Sequence, residues 1–210
     1  MELISWAIDL ILHLDAHLVE LLRDYGMWVY AILFLIVFAE TGFVVTPFLP
    51  GDSLLFAAGA LAAVDTTGTL SAPLVSLVLV IAAVSGNTTN YHIGRWIGPP
   101  AFSGKYRWLK VDYLKRTEAF FVKHGSMTIV LSRFAPIIRT CAPFVAGIAR
   151  MPYARFQAYN IAGGLAWVLS LTWMGYFFGN IPIIKQNFGL VAIGIVLISM
   201  IPVAWVALKK

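Results

Sequence analysis

Residues 132–147 place two arginines, Arg133 and Arg139, and two prolines, Pro136 and Pro143, in a run otherwise apolar enough to enter a membrane. Each proline removes a backbone donor and clashes with the preceding turn, so one straight helix is not expected here. Irregular backbone at membrane depth persists only where protein covers it or where it lines a wet cavity. A guanidinium at that depth costs from about 2.5 to over 10 kcal/mol depending on the method, so it persists with a partner and a task. The stretch reads as a re-entrant hairpin over residues 126–149 that carries both guanidinium groups toward the bilayer midplane. The competing reading is a proline-kinked spanning helix whose arginines snorkel to the interface.

Composition supplies the membrane that this reading needs. The chain is 60% hydrophobic and 12% charged, with a mean hydropathy of +0.84. A soluble domain carries about 25% charged residues, so the chain is an integral membrane protein. Its 210 residues suit one compact membrane domain, 1–210, with no large soluble one. The single cysteine, Cys141, excludes an internal disulfide. No cleavable leader is expected, because residues 1–24 mix polar and apolar positions and lack a basic start.

In chain order, residues 1–24 read as an amphipathic helix lying on the membrane, with Glu2, Ser5, Asp9, His13, Glu20 and Arg23 along one stripe. His13 and His17 have a spacing that can bind metal, but no third ligand is near, so a solvated polar face is the reading and no metal is expected. Residues 27–46 form the first span. Glu40 lies about 20 Å along it, past the midplane, and a carboxyl there is a functional candidate by default. Residues 47–64, opening on Pro47-Phe48-Leu49-Pro50-Gly51-Asp52-Ser53, are too short for two spans and too broken for one. They read as a second re-entrant hairpin, entered from the opposite face, in which Asp52 also has the character of a helix cap. Residues 70–93 form the next span, and its polar end, including Asn87 and Tyr91, either lines an aqueous path or joins helices by hydrogen bonds. Residues 156–179 and 188–208 complete about four spans.

A basic loop over residues 95–125 separates the halves. From Arg95 to Lys123 it carries seven basic residues against Asp112 and Glu118. In so apolar a chain this patch marks a cytoplasmic face beside anionic lipid, with no nucleic-acid partner expected. With that loop inside, twelve of the fifteen Lys and Arg are inside, which orients the chain N-in and C-in. Phe48-Leu49-Pro50 leading to Ala57-Ala58-Gly59 echoes Phe134-Ala135-Pro136 leading to Val145-Ala146-Gly147. Two such hairpins entering from opposite faces form the inverted repeat of secondary transporters, whose broken segments meet at a midplane site.

The membrane interior then holds Glu40, Asp52, Arg133 and Arg139. Two arginines can grip a phosphate bidentately, and two carboxylates can neutralise them when the phosphate is gone. Burial disfavours a charged carboxylate and a neighbouring guanidinium favours it, so a carboxyl there is placed to carry a proton. The competing reading is a pair of static buried salt bridges, which stability alone seldom justifies.

These residues also carry a resemblance. Phe38-Ala39-Glu40-Thr41-Gly42, Phe48-Leu49-Pro50-Gly51-Asp52-Ser53, Tyr91-His92-Ile93-Gly94-Arg95, Arg133-Phe134-Ala135-Pro136-Ile137-Ile138-Arg139-Thr140 and Pro143-Phe144-Val145-Ala146-Gly147 resemble the DedA family of bacterial inner-membrane proteins, related to the VTT-domain lipid scramblases of eukaryotes. The resemblance runs over nearly the whole chain. It implies translocation of lipid phosphates across the bacterial inner membrane, chiefly undecaprenyl phosphate and in some members phosphatidylethanolamine, tied to the proton motive force. It places substrate binding on Arg133 and Arg139 and proton coupling on Glu40 and Asp52. One departure stands out: where many members read Gly-Asp before the Tyr-x-Ile-Gly-Arg element, this chain has Gly86-Asn87, and Asn cannot titrate.

The expected activity is therefore transport rather than catalysis, without a cofactor, with lipid phosphate, protons and the membrane as partners; a homo-oligomer is compatible with it. An integral-membrane polyprenyl (pyro)phosphate phosphatase would need a nucleophile or metal beside the arginines. Ser132, Thr140 and Cys141 are present there, but no His is. A proton or small-ion exchanger is the third reading, and the arginines argue against a cation site.

Overall fold

The computed structural model describes residues 26–43, 51–65, 68–98, 100, 111–182 and 194. The amphipathic helix at 1–24, the opening of the first hairpin at 47–50, residues 99 and 101–110 of the basic loop and the last span at 188–208 apart from residue 194 lie outside the described residues. Among those described the chain is all-helical: α1 (Trp28–Gly42), α2 (Gly51–Val64), α3 (Ala72–Ile97), α4 (Val111–His124), α5 (Thr128–Leu131), α6 (Pro136–Ile148) and α7 (Tyr153–Phe178), with 3-10 turns at Gly125–Met127 and Ser132–Phe134. Helices α3 and α7, 26 residues each, are long and apolar enough to cross a membrane. At 1.5 Å per residue each is about 39 Å long against a hydrocarbon core of about 30 Å.

The chain forms two compact units, one from Met1–Leu35, Pro50–Leu79 and Val168–Ile198, the other from Ile36–Leu49, Val80–Trp167 and Ser199–Lys210. In the first unit α2 is buried along most of its length and packs on the end of α7. A Cβ on Gly59 would run into the Thr172 carbonyl, and one on Gly175 into the Phe56 carbonyl. Gly179 meets Ala60 in the same way, and Asn180 Nδ2 donates to the Ala60 carbonyl at 3.0 Å. From Phe56–Gly175 to Ala60–Gly179 both helices advance together, so they run parallel. Tyr30 ties the start of α1 to the turn before α3, donating to the Thr69 carbonyl at 3.1 Å and accepting from the Ser71 N–H at 2.8 Å.

The second unit repeats this packing with different elements. A Cβ on Gly147 of α6 would run into the Tyr91 carbonyl of α3, and one on Gly94 into the Phe144 carbonyl. Asn90 of α3 donates to the Thr140 carbonyl at 2.8 Å, so α3 and α6 also run parallel. Both contacts therefore join a Phe-x-x-Gly step, Phe56 to Gly59 or Phe144 to Gly147, to a glycine of a long helix. Small residues that let backbones touch are how helices associate where no hydrophobic force drives them together.

The arginine stretch breaks at only one of its two prolines. Ala135 is extended, with φ −126° and ψ 98°, because the residue before a proline is kept out of the helical region. Pro136 then opens α6 at its first turn, where the missing N–H costs nothing. Pro143, in contrast, sits inside α6. Its missing N–H removes the intrahelical donor to the Arg139 carbonyl, and next to it Asn90 of α3 donates to the Thr140 carbonyl. Tyr91, fully buried, stacks on Phe156 with ring centroids 4.4 Å apart and anchors a core with Ile129, Ile138, Ala142 and Ala146. Amphipathic α4 buries Leu114 against Cys141, Phe144 and Val145 and exposes Lys115, Arg116, Glu118 and Lys123.

Candidate functional site

Glu40 stands in the last turn of α1, Arg133 in the 3-10 turn before the break, and Arg139 in the first turns of α6. All three belong to the second unit and all are buried, exposed by 1%, 1% and 5%. The break at Ala135 matters here, because it turns the chain between two arginines that one continuous helix would have set on different faces. Arg139 Nη2 donates to Glu40 Oε1 at 2.5 Å as a buried salt bridge.

Arg133 is held differently. Its Nη2 donates to Asn160 Oδ1 at 2.7 Å and makes longer contacts to the carbonyls of Ala83 and Asn160, at 3.3 and 3.4 Å. Its Nε and Nη1 have no hydrogen-bond partner among the described residues. Asn160 is a neutral acceptor, so it orients the guanidinium and leaves its charge uncancelled. Its orientation is set in turn by several bonds. Nδ2 donates to the Val84 carbonyl at 3.0 Å and to Gln157 Oε1 at 2.8 Å, while Oδ1 also accepts from Asn87 Nδ2 at 3.1 Å. The pair Gly163-Gly164 lets α7 approach its neighbours closely: a Cβ on Gly163 would lie 3.1 Å from the Val130 Cα and one on Gly164 3.0 Å from Val84 Cγ2, with Arg133 Nε and Nη2 in ordinary contact at 3.4 and 3.6 Å.

Trp167, 1% exposed, is in contact range of both cations. Its ring centroid is 4.9 Å from the Arg139 guanidinium carbon and 5.9 Å from that of Arg133. A desolvated cation over an aromatic face gains about 2 kcal/mol. Trp167 therefore stabilises both charges without neutralising either.

The sequence-predicted residues are thus distributed unevenly. Arg133, Arg139 and Glu40 come together. Asn87 and Tyr91 are also in this unit and buried. Asn87 serves the Asn160 network, whereas the Tyr91 hydroxyl donates to the Met151 carbonyl at 2.5 Å. Asp52 is buried in the first turn of α2 and belongs to the first unit. Asn160 and Trp167 are absent from the sequence reading. Their one legible signal is a pair of amides, Gln157 and Asn160, followed by a glycine pair and a tryptophan inside a largely apolar helix.

The VTT domain family matches residues 49–177. The chain is 53% identical to Protein DedA of Escherichia coli K12 over 203 residues, covering 96% of this chain and 92% of that protein. It is 45% identical over 175 residues to an uncharacterized membrane protein of Mycobacterium tuberculosis H37Rv, covering 81% and 74%. It is also 39% identical over 155 residues to the inner membrane protein YqjA of Escherichia coli K12, covering 73% and 69%. No solved structure matches it.

Proposed function

The chain belongs to the VTT-domain family of membrane proteins that includes DedA, and from that premise we propose that it translocates lipid phosphates, undecaprenyl phosphate or a phospholipid, across the bacterial inner membrane in step with protons. The observation that carries this reading is the unequal treatment of two buried arginines. Arg139 is neutralised by Glu40, whereas Arg133 is held by the neutral Asn160 and keeps two nitrogens without a hydrogen-bond partner among the described residues.

An uncompensated guanidinium in low dielectric attracts an anion strongly. Arg133 is thus the first contact for the phosphate, and Trp167 holds Arg139 close enough to join it. When the phosphate reaches Arg139 it displaces Glu40, and a buried carboxylate that loses its cation takes up a proton. When the phosphate leaves, Glu40 returns to Arg139 and the proton is released. Asp52 is assigned a coupling role by the family resemblance. Two re-entrant hairpins of opposite orientation and N-in, C-in termini complete the proposal, resting on the charge asymmetry and on the paired helix–glycine contacts. The relative named as an inner membrane protein supports that location.

The test uses purified protein in proteoliposomes loaded with undecaprenyl phosphate and an imposed pH gradient. Movement between leaflets that follows the gradient is the expected result. Movement equal to that of empty vesicles, or release of inorganic phosphate, would overturn it.

A further inference from the structure

On the outer side of the Asn160 network the second unit carries a groove of about 500 Å³ between α3 and α7. Its apolar wall is Val80, Ile81, Val84 and Ile161, and Ile81 and Ile161 are 51% and 46% exposed. Ser85, Thr88, Thr89 and Gln157 also line it, and the three hydroxyl hydrogens are already used. The Ser85 hydroxyl donates to the Ile81 carbonyl at 2.6 Å, Thr88 to Val84 at 2.7 Å and Thr89 to Ser85 at 3.0 Å. Gln157 Nε2 donates to the Tyr153 hydroxyl at 2.9 Å. An anion needs several donors or a cation, and this wall has spent those of its hydroxyls on its own helix and carries no Lys or Arg, so the groove is poorly suited to a phosphate. Hydroxyls bonded back into their own helix are instead compatible with hydrocarbon.

The groove is also next to the arginine site. Asn160, which holds Arg133, donates to the Val84 carbonyl, Gln157 Oε1 and the Thr88 hydroxyl, the last at 3.3 Å. Val84, Thr88 and Gln157 thus face the groove on one side and Asn160 on the other, so a single layer of residues separates the groove from the uncompensated cation. We propose that the groove between α3 and α7 holds the first segment of the hydrocarbon chain of a lipid phosphate whose headgroup is on Arg133. The occupant is one flexible chain, because most of the groove's exposed surface is apolar and its wall is shared with Asn160, which holds Arg133, the site for one anion. This inference rests on the phosphate role of Arg133 proposed above.

The experiment compares two probes, undecaprenyl phosphate and butyl phosphate, binding to the purified full-length protein in detergent. Native mass spectrometry reads the first and competition against it reads the second. Ile161→Trp fills the groove from α7 and Ile81→Trp from α3. Both positions are exposed, so at least one variant is expected to purify as a monodisperse species. Retention of undecaprenyl phosphate should fall at least tenfold in the Trp variants, with butyl phosphate binding unchanged. Retention within twofold of the parent in both variants would overturn the proposal and show bulk lipid as the groove's only occupant. Equal loss of both probes would also overturn it, because the groove would then serve the headgroup. Arg133→Lys separates the two readings: if it binds both probes as the parent does, the phosphate role fails instead.

Discussion

Arg139 and Glu40, 99 positions apart in the chain, meet as a buried ion pair at 2.5 Å, while Arg133, six positions before Arg139, is held by an amide. Two buried cations are thus held differently, one by a carboxylate and one by a neutral amide. In the proposed function the second is available to an anion at once, and the first only when the carboxylate gives way.

The pH dependence of binding follows from that arrangement. In the proposed cycle phosphate displaces Glu40 from Arg139 and a proton is taken up, so lipid-phosphate affinity should rise as pH falls. Glu40→Gln keeps an acceptor for Arg139 but cannot titrate, so its affinity curve should be flatter. Asp52→Asn should flatten the curve too if Asp52 shares the coupling. Affinity is measured against pH for the parent and both variants with a non-titrating lipid sulfate, which removes the titration of the phosphate itself. Identical curves for all three proteins would remove the carboxylates from the mechanism.

Arg133→Lys and Arg139→Lys keep the charge and lose the planar fork. A hydrogen bond to a charged group contributes about 1.5–3 kcal/mol, so losing one of a bidentate pair should weaken binding about ten- to a hundredfold. Translocation in proteoliposomes is the measurement. Normal transport by both Lys variants would dismiss phosphate clamping by these side chains.

The glycine contacts predict stability rather than activity. Gly147→Ala forces a methyl group into the Tyr91 main chain, and overpacking of this kind costs about 1–3 kcal/mol or more. Gly42→Ala meets nothing nearer than 3.5 Å and should be near neutral or mildly stabilising, since Ala exceeds Gly in helix propensity by about 1 kcal/mol. Thermal unfolding in detergent compares the two. Equal melting temperatures would show that α3 and α6 do not touch as described.

Orientation is tested by cysteine labelling in intact cells, in a Cys141→Ala background. Thr67, Ser103 and Gln186 lie outside the described residues and serve only as reporters. Cysteines at 67 and 186 should react with an impermeant reagent and one at 103 should not. Labelling at 103 from outside would reverse the topology.

Part of the candidate site is legible in the sequence. Charged residues inside apolar runs are conspicuous because the bilayer penalises them, and Glu40, Asp52, Arg133 and Arg139 stand out for that reason, but only Glu40, Arg133 and Arg139 belong to the second unit. Asn160 does not stand out, because an amide in a membrane helix is ordinary and its importance comes from what lies beside it. Pro143 misleads in the opposite direction. Its local effect is to break a helix, and the donor that Asn90 brings to the next carbonyl comes from another helix.

By itself the sequence determined the membrane class, the candidate ionisable residues and the break at Pro136, because hydropathy, charge cost and proline chemistry all act over a few neighbouring residues. Only the tertiary structure decided that Glu40 joins Arg139, that Asn160 and Trp167 complete the site, and that Phe56–Gly59 and Phe144–Gly147 each pack on a long helix. Those contacts join residues 27 to 119 positions apart. They depend on how closely two backbones approach and at what angle, a property of helix packing that no local pattern of residues encodes.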